Sequence, residues 1–115
     1  MPHIVIEYSA KDYAEDQVNA MMTTAHAAAL ASGLFAESDI KVRAYPCAHG
    51  LVAGKSLRFV HLTVYLLSGR DQPTQKQLAE KILAQMSSLE LDAASLSVDC
   101  RDMDRAVYSK VTTNS

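Results

Sequence analysis

Residues Arg58 to Leu67 are largely apolar on both of the faces that an extended chain would present. Val60, Leu62, Val64 and Leu66 fall on one side, and Phe59, His61, Thr63 and Tyr65 on the other. A strand of this kind belongs in the middle of a sheet, with material over more than one face. The rest of the chain must therefore supply neighbouring strands and a covering layer.

The first nine residues, Met1-Pro2-His3-Ile4-Val5-Ile6-Glu7-Tyr8-Ser9, read as a strand that begins at once and stops at the polar Ser9-Ala10-Lys11-Asp12. Residues 13–32 predict a helix. Val18, Met22, Ala25 and Ala29 form its apolar stripe, and Gly33 stands where a left-handed residue would end it. Asp39 to Tyr45 alternates, with Ile40, Val42 and Ala44 opposite Lys41, Arg43 and Tyr45, and Pro46 is read as its end. Residues 47–57 carry two glycines and no firm period, which suits a loop or loose hairpin. Gly54-Lys55-Ser56 has the look of the end of a phosphate-binding loop, but the glycine required five residues earlier is His49.

After the long strand, Ser68-Gly69-Arg70-Asp71 is a turn. Pro73 suits the first turn of a second helix capped by Asp71 or Gln72 and lined by Leu78, Ile82 and Met86. Ala94 to Arg101 alternates as a last strand, and the tail from Asp104 is weakly patterned, with Thr112–Ser115 expected to fray. The order is β-α-β-β-α-β, in two similar halves of about 2–46 and 58–102 within one domain of 115 residues. Right-handed crossovers put both helices on the same face of a four-stranded sheet, an α+β architecture. Tyr45, Phe59, His61 and Tyr65, with Lys41 and Arg43, are left on the open face, a surface suited to an oligomer.

Composition excludes several classes. A net charge of −2 offers no general field for nucleic acid or an anionic membrane. No apolar run is long enough to cross a bilayer, and the start lacks the basic stretch and cleavage site of a signal peptide. Cys47 and Cys100 lack metal-ligand spacing and are read as reduced thiols in a cytoplasmic protein.

The chemistry centres on Pro2. Removal of Met1, usual before a small residue, would leave a prolyl secondary amine at the head of a hydrophobic strand. An α-amine titrates at about 7.7–8.0 when unperturbed. Burial near Ile4 and Phe35 and the approach of arginines would both push it down, which would supply a neutral base near pH 7. Lys41, Arg43 and Arg70 are the candidate carboxylate-binding cations, although lysine and arginine on an edge strand ordinarily serve solubility. This chemistry needs no metal or organic cofactor. His3 and His61 read as packed or interface histidines, and Glu7 as a solvated charge or a partner for Lys or Arg across the sheet.

Pro2-His3-Ile4-Val5-Ile6-Glu7, Gly33-Leu34-Phe35, Ile40-Lys41-Val42-Arg43 and Phe59-Val60-His61-Leu62-Thr63 through Gly69-Arg70 resemble the 5-carboxymethyl-2-hydroxymuconate Δ-isomerase family of the tautomerase superfamily. The resemblance implies a homotrimer of β-α-β-β-α-β subunits. It implies an amino-terminal proline that shuttles a proton between carbons of an unsaturated 2-keto or 2-hydroxydienoate diacid from aromatic-compound catabolism. Carried over, Pro2 is base and then acid, and Arg70 matches the arginine that closes the Gly-Arg turn. Arg43 matches the second arginine of the family's Ile-Arg-x-Arg, but Lys41 replaces the first with a point charge that cannot fork. That change, and the loop 47–56, bear on which keto acid is the substrate. A tautomerase of a monoacid such as phenylpyruvate and a non-catalytic, oligomeric ligand-binding module are the competing readings.

Overall fold

The computed structural model describes residues 1–113. Four strands, β1 (His3–Ser9), β2 (Lys41–Cys47), β3 (Phe59–Leu67) and β4 (Ser95–Met103), form one sheet in the order β2-β1-β3-β4. β1 pairs parallel with β2 and antiparallel with β3, and β3 pairs parallel with β4. Two helices, α1 (Glu15–Ala31) and α2 (Gln72–Ser87), connect the parallel pairs and share one face of the sheet. This is the expected α+β order, with β3 central.

The core lies between that face and the helices. Ile4 and Ile6 of β1 and Val60, Leu62, Val64 and Leu66 of β3 are fully enclosed, as are Met21 and Ala25 of α1 and Leu78, Ile82 and Met86 of α2. Each leucine, isoleucine or methionine so buried contributes roughly 1.5–3 kcal/mol. Ala25, Ala28 and Ala29 have no side chain beyond Cβ, so α1 can lie close to the sheet. The opposite face carries His3, Val5 and Glu7 of β1 alongside Lys41, Arg43 and Tyr45 of β2, by their pairing registers. Tyr65, Thr63 and His61 of β3 stand opposite the same three β1 residues.

The boundaries move where backbone chemistry outweighs pattern. α1 starts at Glu15 rather than residue 13, because Tyr13 is extended and its hydroxyl donates to the Leu91 carbonyl (2.9 Å). Gly33, at φ +76°, ends α1 as expected. Pro46 does not end β2, which continues to Cys47; an edge strand with one neighbour tolerates the missing N–H. Asp39, read as strand, instead closes a 3-10 turn (Glu37–Asp39). Asp71 caps α2 by accepting from the Thr74 N–H at 2.9 Å.

In the 47–57 loop, Val52 and Lys55 form a bridge around Ala53 (φ +52°) and Gly54 (φ +76°), a tight hairpin turn. Gly50 lies against Phe59, where a Cβ would come within 2.6 Å of the ring. β4 runs two residues beyond Arg101, to Met103. The expectation that Thr112–Ser115 frays falls partly on Asn114 and Ser115, outside the described residues; Thr112 and Thr113 are exposed and outside any element.

Candidate active site

Pro2 is buried where the sheet begins, and its carbonyl accepts the Lys41 N–H at 3.1 Å, extending the β1–β2 ladder by one bond. Met1 precedes it, also buried, with its amine 3.7 Å from an Asp39 carboxylate oxygen. Burial holds that amine below its ordinary pKa despite Asp39, and Lys110, Lys41 and Arg70 depress it further. The structure thus gathers Lys41 and Arg70 at the amino terminus.

Each arrives by a different route. Lys41 opens β2 directly opposite His3, and its Nζ lies 3.0 Å from the Asp39 carbonyl and 4.0 Å from the Met1 sulfur. Arg70 leaves the turn after β3. It donates to the Leu34 carbonyl (2.9 Å), and its guanidinium lies over the Phe35 ring at 4.9 Å. The Gly33-Leu34-Phe35 connection after α1 therefore holds Arg70 in place.

Arg43 is placed differently. It stands beside Val5, one row further along the open face, and is exposed. Its Nη1 lies 3.0 Å from His3 Nδ1. A guanidinium can only donate, so Nδ1 accepts and His3 is neutral with its proton on Nε2. That Nε2–H then donates to the Tyr108 hydroxyl at 2.9 Å. Burial, followed by Arg43 and Lys41, holds the His3 pKa below its usual 6.5.

The sign of the resulting pH dependence follows from that shift. Between the folded pKa and 6.5 the unfolded chain binds the proton more readily, so this contribution to stability is complete above 6.5 and is lost as pH falls through that window. His3→Gln removes it. Thermal melts from pH 7.5 to 5.0 are expected to show the wild-type advantage over His3→Gln shrinking below pH 6.5. A constant gap would show that His3 is not held neutral.

Asp39, Tyr108 and Lys110 also meet here, none of them singled out by sequence pattern. Lys110 Nζ is 2.8 Å from Asp39 Oδ1. The tail carries no periodicity that could have marked its residues. Among the described residues Glu7 forms no ion pair, and it is exposed opposite His61 and Tyr45. His61 Nδ1 lies 2.6 Å from Ser97 Oγ. Cys100, on the helix side, has its thiol pushed up to about 11, by burial first and then by Asp99 and Asp102, so it is a poor nucleophile. A cleft of about 520 Å³ lies elsewhere, between α1 and α2, and is lined by alanines with Lys81 and Gln85.

A family profile described as 5-carboxymethyl-2-hydroxymuconate isomerase matches residues 2–113. The chain belongs to that family. Membership assigns it to the isomerases, and the tautomerase fold accounts for its element order.

Among solved structures, a 5-carboxymethyl-2-hydroxymuconate isomerase from Deinococcus radiodurans R1 superposes with a TM-score of 0.83 at 21% identity, over 97% of this chain and 90% of that one. A 5-carboxymethyl-2-hydroxymuconate delta-isomerase gives 0.75 at 24% identity, over 99% and 89%. A fused 4-OT wild-type symmetric trimer gives 0.76 at 18% identity, over 89% and 87%. No curated protein sequence matches significantly.

Proposed function

We propose that Met1 is removed and that the Pro2 nitrogen is the acid–base group of a tautomerase acting on an unsaturated 2-hydroxy or 2-keto diacid. The observation that carries this reading is the setting of the amino terminus. It is a buried amine whose pKa is lowered by burial against the pull of Asp39 at 3.7 Å, and lowered further by Lys110, Lys41 and Arg70. While Met1 is attached, the Pro2 nitrogen is an amide with no basicity. Once Met1 leaves, the amine steps back one residue, and the volume that the buried Met1 side chain fills beside Lys41 becomes available to a ligand.

In the proposed reaction the neutral amine takes a proton from the 2-hydroxydienoate. The electron pair shifts through the conjugated system, and the prolinium returns the proton to a remote carbon, leaving the 2-keto product. Lys41 and Arg70 bind carboxylate and offset the charge that develops on the enolate oxygen. Arg43 acts one row away, with its guanidinium held at His3. The proton that leaves is the proton that returns, so no cofactor enters the balance.

The open sheet face supports assembly into a homotrimer. It carries Val5, with Tyr45 (51% exposed) and Tyr65 (38%). The similar 4-OT structure is itself described as a symmetric trimer. A cytoplasmic location fits two free cysteines, and no helix among the described residues is long and apolar enough to cross a membrane.

Intact-mass measurement is expected to show the chain without Met1. Ultraviolet absorbance is expected to show it ketonising 2-hydroxymuconate faster than monoacids such as phenylenolpyruvate. An active sample that retains Met1 would exclude Pro2 as the base. A processed chain inert across a panel of 2-hydroxy and 2-keto acids would favour the ligand-binding module.

A further inference from the structure

The tail after β4 crosses the end of the sheet and reaches the amino terminus at Lys110. Its course is set by successive contacts. The Ser68 N–H donates to the Met103 carbonyl at 2.9 Å. The Arg105 side chain donates twice to the Ser68 carbonyl, at 3.2 and 3.0 Å, just beyond β3. Asp104 caps the short turn Arg105–Val107 by accepting from the Ala106 N–H at 3.0 Å. Tyr108 then meets His3 of β1, ring edge to ring face, with centroids 6.1 Å apart. Lys110 reaches Asp39, two residues before β2. The strap thus passes the ends of β3, β1 and β2 in turn, along the rim of the proposed site.

Lys110 arrives beside a second ammonium, that of Lys41, and faces the same carboxylate that lies by the amino terminus. Lys41, Arg70 and Lys110 are three cations acting on the amine, against one carboxylate, Asp39. Two positive charges remain uncompensated, the complement of a dianion. An ammonium has three N–H donors, and Asp39 needs only one of them, so Lys110 can keep that contact and still bind an incoming carboxylate.

We infer that Lys110, delivered by the C-terminal strap, is a substrate-binding residue that pairs with Lys41 to hold one carboxylate of a dicarboxylate ligand. This rests on the tautomerase reading for the reaction, though not for the binding. It also gives Lys41 a partner: two point charges side by side can flank the two oxygens that one guanidinium fork would have held.

The test compares Lys110→Ala, Lys110→Arg and Asp39→Asn with the Met1-processed wild type. Steady-state kinetics use 2-hydroxymuconate and a 2-hydroxydienoate monoacid, and calorimetry measures binding of adipate, a dicarboxylate that cannot tautomerise. Lys110→Ala is expected to weaken adipate binding and raise the diacid KM by about tenfold to a hundredfold. The monoacid KM should change by less than about threefold, and Lys110→Arg should restore most of the loss. Asp39→Asn removes a competing negative charge and is expected to tighten adipate binding.

If Lys110 only tethers the strap, Asp39→Asn will reproduce the Lys110→Ala defect and both acids will suffer alike, which overturns the inference. Adipate affinity indifferent to Lys110→Ala overturns it too. Wild type that binds adipate through Lys110 yet turns over neither acid overturns the tautomerase reading and leaves the binding role standing.

Discussion

A chain that carries one residue ahead of Pro2 is expected to lose about a hundredfold to ten-thousandfold of its kcat, the range supplied by a positioned general base. The comparison is a Gly-Pro start, made by inserting glycine after Met1, against the native start, with any purification tag at the carboxyl end. The added residue turns the Pro2 nitrogen into an amide, which cannot accept a proton near neutral pH. The fold should survive, because the chain described here already accommodates a residue at that position: Met1 is buried against Lys41 and Asp39 without disturbing β1. Pro2→Ala is a milder test, since it keeps an amine and changes its substitution and flexibility. It should fall between the two. Retained activity in the Gly-Pro chain, checked by intact mass, would remove Pro2 from the mechanism.

Replacing Arg70 with alanine is expected to cost about a hundredfold in kcat/KM on a diacid and on a monoacid alike, because Arg70 holds the carboxylate that both acids carry while Lys41 and Lys110 hold the second. Hydrogen bonds to charged groups are worth about 1.5–3 kcal/mol each, and a fork makes two. Much of the loss should lie in preorganisation. The guanidinium is held over Phe35 and against the Leu34 carbonyl, and Gln75 bonds the Arg70 carbonyl at 3.1 Å. Arg70→Lys should recover only part of the activity, because a point charge keeps the attraction and loses the fork. A thermal melt of Arg70→Ala should show a smaller effect, about 1 kcal/mol from the unpaired Leu34 carbonyl. A kinetic loss no larger than the loss of stability would mean that Arg70 orders the Leu34–Phe35 connection without binding carboxylate.

The parts of this site that sequence pattern revealed are those set by local rules. Pro2 stands out because a hydrophobic strand starts beside it. Lys41 and Arg43 stand out because alternation puts them together on one face of β2, and Arg70 because it follows a glycine in the turn directly after β3. Yet shared alternation did not mean a shared task. Arg43 binds His3, while Lys41 borders the amino terminus, because the parallel register sets Lys41 opposite His3 and Arg43 opposite Val5. Pro46 misled for a related reason. Its effect on a strand depends on whether the strand lies at an edge, which a single segment cannot report.

The sequence by itself determined the two helices, the four strands and their order, since periods of 3.6 and 2 are written into neighbouring residues, and it placed a prolyl nitrogen at the head of a strand. Only the tertiary structure decided what surrounds that nitrogen. His3 and Tyr108 are 105 positions apart, and Lys110 and Asp39 are 71 apart. Contacts so distant leave no periodic trace, because they arise from sheet register and from the path of a tail whose own residues are nearly all exposed. The proline could be found from one end of the chain, but the cations around the Met1 amine come from three other segments and arrive there only when the sheet is assembled.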